Sequence, residues 1–270
     1  MTLSKMKFTK NIDKETEPVE SRRKETGGGK LTIYDELTKV DGGLLIAGTT
    51  GAGKSTVIEG IIDSIITRHE PAAKAGKDGA LLYLCDPKII ELRRFRFLPH
   101  VARYEYTHEG IVDLLREVTA LMEDRYTAMA FRGLRQWDGA RAYVVIDELA
   151  DLLITSRKRI EPLLMRLLCL CRAAGIVIVM ATQQPSRTNG TGKMANCCTA
   201  RLALRCTDAI ESRQIIGKPG AEKLPRYGAG ILRSPTRPTG EAVVIPLPED
   251  TQAIIDGYLR RKTTTGRSIT

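Results

Sequence analysis

Apolar residues fall along this chain in short, dense runs rather than in one periodicity. The runs at 44–47, 80–85, 142–147, 175–181, 200–206 and 242–246 are rich in Val, Ile, Leu and Ala and read as strands buried on both faces. Between several of them, apolar positions recur at helical spacing over 55–68, 109–130 and 160–173. Continuous strand runs alternating with such helices predict an α/β fold, a mostly parallel sheet with helices on both faces. Ligands of these sheets sit at the carboxyl ends of the strands, so the residues just after each run should carry the chemistry.

They do so at three places. After Leu44-Leu45-Ile46-Ala47 comes Gly48-Thr49-Thr50-Gly51-Ala52-Gly53-Lys54-Ser55, a complete G-x-x-x-x-G-K-[ST] phosphate-binding loop running into a helix-like stretch. Its glycines let the backbone turn its N–H groups toward phosphate oxygens, and the helix start adds a positive dipole end. The expected contacts to ATP or GTP are Gly48, Thr49, Thr50, Gly51, Ala52, Gly53, Lys54, Ser55 and Thr56, with Lys54 reaching the β- and γ-phosphates and Ser55 ligating Mg²⁺. The strand Ala142 to Ile146 runs into Asp147-Glu148. There Asp147 is expected in the Mg²⁺ shell, and Glu148 as the group that orients or deprotonates the attacking water. The strand ending at Ala181 is followed by Thr182-Gln183-Gln184-Pro185, which places Gln183 as a sensor of the γ-phosphate.

Composition narrows the class. The 270 residues are 42% hydrophobic and 27% charged, enough for one large α/β domain with a sizeable core. No stretch approaches the ~18 uninterrupted apolar residues of a membrane span, and residues 1–30 lack the apolar core of a secretory signal. A cytoplasmic location is expected. Six cysteines lack paired C-x-x-C spacing, which points to reduced, structural thiols and to no metal site besides Mg²⁺.

The net charge of +10 sits mainly at the ends. Residues 1–30 hold eight Lys/Arg against five Asp/Glu, residues 257–270 four against none, and the remainder carries only +3. This predicts a basic, flexible segment 1–30, a nearly charge-balanced domain 31–256 and a basic, flexible tail 257–270. Inside the domain, Arg93-Arg94-Arg96 and Arg157-Lys158-Arg159 are compact basic clusters of the kind that meet a phosphate backbone or face solvent.

Taken in order, these motifs carry a specific resemblance. The loop at 44–55, Asp86-Pro87-Lys88 followed by Glu91-Leu92, Val145 to Leu152, Cys171-Arg172-Ala173-Ala174-Gly175-Ile176, Ala181 to Pro185, Glu211-Ser212-Arg213 and Gly220-Ala221-Glu222-Lys223-Leu224 resemble the motor domain of the FtsK/SpoIIIE family of DNA translocases over residues 30–250. The resemblance implies a RecA-like P-loop fold, a homo-hexameric ring around double-stranded DNA, and ATP with Mg²⁺ bound between subunits. It also implies an arginine supplied in trans, for which Arg172 and Arg213 are the two candidates, and a pore loop at 186–196 in which Arg187 and Lys193 touch the DNA backbone. Where the family's pore loop is apolar, this chain reads Thr188-Asn189-Gly190-Thr191-Gly192.

Larger translocases of this type carry membrane spans before the motor and a sequence-reading winged helix after it, for which this chain has no room. The resemblance therefore extends to short transfer proteins of conjugative or integrative elements, with a membrane or transfer-apparatus protein as a further partner. Chromosome partitioning, a phage-borne role, type VII-like protein secretion and a P-loop small-molecule kinase are the competing readings. Asp86-Pro87-Lys88 favours DNA over protein cargo, and no arginine-rich lid marks a kinase.

Overall fold

A computed structural model describes residues 32–183, 190–248, 253, 255 and 256. The segments 1–30 and 257–270 lie outside the described residues, as does Arg187. A short helix α1 (Ile33–Thr38) precedes β1 (Gly42–Ala47), and the phosphate-loop residues then lead into α2 (Lys54–Arg68). Next come β2 (Ala80–Cys85), β3 (Val101–Glu105), α3 (His108–Arg132), β4 (Arg141–Ile146), α4 (Leu149–Leu170) and β5 (Ile176–Thr182). The chain continues through α5 (Thr191–Cys197), β6 (Ala200–Ala203), α6 (Ala209–Ile216), β7 (Ala229–Ser234) and β8 (Arg237–Val244).

The eight strands form one sheet in the order β3-β2-β4-β5-β1-β6-β7-β8. Every pairing from β3 to β6 is parallel, and only β6·β7 and β7·β8 are antiparallel. Strand alternation divides the core between the two faces. Leu44, Ile46, Tyr143, Val145, Val177 and Val179 pack with Val57, Ile58, Ile61 and Ile65 of α2. Leu45, Val144, Ile146, Ile178 and Met180 point the other way, against Ile111, Leu115 and Met122 of α3 and Leu152, Leu164 and Leu167 of α4. Both faces are covered, which is why β1, β4 and β5 read as unbroken apolar runs with no polar alternation. The α/β fold with helices on both faces is thus as expected.

Elements whose burial is partial differ from the sequence reading. The edge strand β3 is only partly buried along its length, so Val101-Ala102-Arg103-Tyr104-Glu105 gives no dense run. α4 starts at Leu149, eleven residues before the predicted 160, because the polar stretch Thr155 to Arg159 hides its first half. Ser156 leaves helical geometry there (φ −129°, ψ 27°), so the element is two helical pieces joined at that residue.

One buried charge fixes the amino-terminal edge of the sheet. Arg125 of α3 is 4% exposed and donates from Nη1 to Ala174 O (2.8 Å) and Gly175 O (3.2 Å), and from Nη2 to Ala140 O (2.9 Å). Its guanidinium lies 5.0 Å from the ring centroid of Trp137, whose backbone N–H donates to Ala173 O and whose indole N–H donates to Ala140 O (3.2 Å). Burial lowers its pKa to about 10, which still leaves it charged at neutral pH. The side chain therefore ties the start of β4 to the turn before β5. Arg125→Met leaves those carbonyls without their charged donor, and hydrogen bonds to charged groups contribute about 1.5–3 kcal/mol each. Removing the guanidinium also removes its desolvation cost, so a net loss of about 3 kcal/mol and a melting point lower by about 6–12 °C are expected at the usual slope for a domain of this size. Calorimetry checks this; a shift under about 2 °C would assign the hydrogen bonds no net weight.

Candidate functional site

The loop after β1 takes its shape from two backbone positions that side chains rarely occupy. Gly51 has φ +72° and Gly53 φ +95°, both in the left-handed region where a Cβ is penalised. The start of the loop is held by its neighbours in the sheet. Gly48 N donates to Thr182 O (3.4 Å), Thr49 N to Arg205 O (2.9 Å) and Ala52 N to Thr49 O (3.2 Å). Gly48, Thr49 and Ala52 therefore anchor the turn. Thr50, Gly51, Gly53, Lys54, Ser55 and Thr56 line a cavity of about 280 Å³, closed by Lys88, Glu91, Asp147, Glu148, Gln183 and Tyr227.

Lys54 is 8% exposed and folds back on its own loop, donating from Nζ to Gly48 O and Thr49 O, both at 2.8 Å. Burial lowers its pKa, with Glu148 opposing and Lys88 reinforcing the shift. Thr50, Gln183, Glu148 and Lys88 form a continuous polar chain across the cavity floor. Thr50 Oγ1 donates to Gln183 Oε1 (2.7 Å), Gln183 N to Glu148 Oε1 (3.3 Å), and Lys88 Nζ to Glu148 Oε2 (3.0 Å). Four segments meet there: the loop and the carboxyl ends of β5, β4 and β2. β5 sits between β1 and β4, which is what lets Gln183 touch both the loop and Glu148.

The Asp147 carboxyl is pushed up to about 7, first by burial and then by the charge of Glu91, with Lys88 opposing. A buried carboxylate beside a serine hydroxyl and further acids is a hard-oxygen donor set that calls for added positive charge. It fits Mg²⁺, which takes one or two carboxylates together with phosphate and water. Lys88 shows the same field: burial pulls its ammonium down, but the hydrogen bond and charge of Glu148 more than offset that and raise it. Asp86, fully buried, accepts from Leu92 N and Tyr104 OH through Oδ2 (both 3.1 Å) and so shapes the turn that presents Lys88.

The remaining expected residues lie away from the cavity. Arg172 is exposed in the turn between α4 and β5, beside Gly42 at the start of β1, on the sheet edge opposite the loop. Arg213 is exposed on α6, whose amino end is capped by Asp208 through the N–H groups of Ile210 and Glu211. Lys193 on α5 pairs with Glu161 at 3.7 Å, and Glu161 also takes Arg157 at 2.6 Å. Arg159 pairs with Glu109 and Arg94 with Glu59, so both basic clusters are partly neutralised by their own surroundings. Lys88, Glu91 and Tyr227 were not among the expected site residues. The rule that chemistry follows strand ends would have found Lys88, three residues past β2; nothing local marks Tyr227.

Comparison with known proteins decides the family. The sequence model of the FtsK/SpoIIIE family matches residues 2–144, more than half of the chain. The chain belongs to the FtsK/SpoIIIE family. Among curated relatives, the protein named DNA translocase FtsK of Tropheryma whipplei is 35% identical over 210 residues, covering 70% of this chain and 28% of that protein. The protein of the same name from Sporosarcina ureae is 32% identical over 281 residues, covering 92% of this chain and 34% of that one. The chain thus spans about a quarter to a third of the length of these relatives. Among solved structures, the pCW3 conjugation coupling protein TcpA with ATPγS superposes with a TM-score of 0.69 at 20% identity, over 83% of this chain and 65% of that one. EssC (ATPases 2 and 3) of Geobacillus thermodenitrificans gives 0.66 at 18%, over 85% and 45%. At these identities the likenesses show the fold, which this FtsK/SpoIIIE chain shares with both structures. No helix among its described residues is long and apolar enough to cross a membrane.

Proposed function

We propose that this domain hydrolyses ATP to drive double-stranded DNA through a homo-hexameric ring. The observation that carries the proposal is the polar chain Thr50–Gln183–Glu148–Lys88 lying beside the phosphate loop, in a family whose curated relatives are named DNA translocases. ATP would seat its phosphates on the loop N–H groups, and Lys54 would turn from the carbonyls of Gly48 and Thr49 to the β- and γ-phosphates. Ser55 and Asp147 would hold Mg²⁺, which supplies charge neutralisation on the phosphates. Glu148 would orient and deprotonate water, and Gln183, joined to both Thr50 and Glu148, would register the γ-phosphate. Arg172 or Arg213 of an adjacent subunit would complete the site. Lys193, with Arg187 outside the described residues, would touch the DNA backbone, giving grip without base readout.

As the cargo we propose plasmid or other mobile-element DNA, a reading supported by the likeness in fold to TcpA, which is named a conjugation coupling protein. The corresponding location is the cytoplasm, at the membrane only through a transfer-apparatus partner. Protein cargo, as the name type VII secretion ATPase implies for EccC of Thermomonospora curvata, is the competing outcome. The deciding measurement is ATPase rate with long duplex DNA and with signal peptide. Stimulation by duplex alone is expected; stimulation by peptide alone would overturn the DNA reading. Duplex affinity should also fall by about 0.9 log units per log unit of salt for each phosphate contact, and a flat response would count against a backbone-tracking pore.

A further inference from the structure

One wall of the cavity has no part in the hydrolytic chemistry above. Tyr227 lines the cavity yet is 60% exposed, an aromatic ring at the mouth of a polar site. Arg226 reaches both this ring and the phosphate loop. Its Cζ is 5.2 Å from the ring centroid, and its Nη2 is 3.1 Å from where a Cβ on Gly51 would stand. The guanidinium thus links the ring to the loop, a cation–π arrangement.

Sheet order gives the wall its meaning. Lys88, Asp147, Glu148 and Gln183 follow β2, β4 and β5, all on one side of β1. β6 and β7 lie on the other side, and β7 runs antiparallel to β6, so Tyr227, two residues before β7, stands at the same sheet edge but across the loop from those groups. A triphosphate with its γ-phosphate against Glu148 must extend its nucleoside away from β4 and β5, toward β6 and β7.

We infer that Tyr227, braced by Arg226, is the stacking platform for the nucleobase. This rests on the triphosphate occupying the loop as proposed above. An aromatic face accepts any base because every base offers a π-face, and it reads no hydrogen-bond pattern. The platform therefore binds purine nucleotides with little discrimination between ATP and GTP.

The test measures equilibrium binding of ATP, GTP and tripolyphosphate, each with Mg²⁺, by titration calorimetry on the full chain and on Tyr227→Ala and Tyr227→Phe. Tyr227→Ala should weaken ATP and GTP alike by about tenfold, in the range seen on removing a base-stacking ring. Tripolyphosphate, which has no base, should bind as before, and Tyr227→Phe should bind all three as the parent does. Equal weakening of all three ligands would make the ring a support for the loop and overturn the platform. No change in any of them would leave the ring against solvent or another copy of the chain, and would overturn it as well. If the parent binds neither ATP nor tripolyphosphate, the phosphate-loop reading itself fails, an outcome distinct from the other two.

Discussion

Glu148→Gln should bind ATP as the parent does and turn it over about 10²–10⁴-fold more slowly, the usual contribution of a positioned general base. The side chain keeps its size, and its amide oxygen can still accept from Gln183 N, so the polar chain from Thr50 is preserved. What disappears is the charge. That charge is held by Lys88 at 3.0 Å, and Glu148 is only 6% exposed; its carboxylate is therefore oriented and largely dry. With ATP bound as proposed, the Lys88 ammonium would be drawn to the γ-phosphate, and the carboxylate would be left to orient water. Release of phosphate at saturating ATP and duplex, compared with equilibrium ATP binding on the same preparation, separates the two steps. A parent-like turnover rate would take the water-orienting role from Glu148 and leave Asp147, the other acid after β4, as the group to examine.

The parts of this site that were legible in the sequence are those whose chemistry is contiguous. Gly48 to Ser55 specifies a loop by spacing alone, and Asp147-Glu148 announces itself by ending an apolar run. Their convergence follows once the runs are read as parallel strands, because parallel strands deliver their carboxyl ends to one edge. Lys88 was visible as part of Asp86-Pro87-Lys88, but its ion pair with Glu148 depends on β2 lying beside β4, a neighbour relation that no local pattern encodes. Tyr227 is further still from local logic. It reaches the cavity only because β7 reverses direction against β6, and β7 was itself missed: Ala229-Gly230-Ile231-Leu232 is too short an apolar stretch to stand out. Charge counting had the opposite fault. Arg157 and Arg159 read as a free basic cluster, whereas Glu161 lies one helical turn from the first and Glu109 reaches the second from α3. Such exposed pairs add little stability, yet they change what the surface offers to a phosphate backbone.

Arg172→Ala should keep nucleotide affinity near the parent's and lower turnover about 10³–10⁵-fold, the range associated with an arginine supplied to a transferring phosphate. The placement argues for action on a neighbour. Arg172 is exposed at the amino-terminal edge of the sheet, whereas its own phosphate loop lies at the carboxyl-terminal edge, so it cannot serve the cavity of its own chain. A head-to-tail ring brings unlike surfaces together, and these two edges are unlike surfaces of that kind. The mount is rigid: Arg125 holds the carbonyls of Ala174 and Gly175, and Trp137 holds that of Ala173, so the turn is fixed while the Arg172 side chain is left to project. Mixing separates this role from a structural one. If Arg172 acts in trans within a ring that fires in sequence, one altered subunit disables its neighbour's site, and an equimolar mixture with the parent retains well under half of the activity. Loss in simple proportion to dilution would confine the effect to the altered chain and overturn the trans role. Arg213→Ala is the matched comparison, since α6 also presents an exposed arginine. Poisoning by Arg213→Ala alone would move the catalytic arginine to α6, and poisoning by Arg172→Ala alone would leave it in the turn before β5.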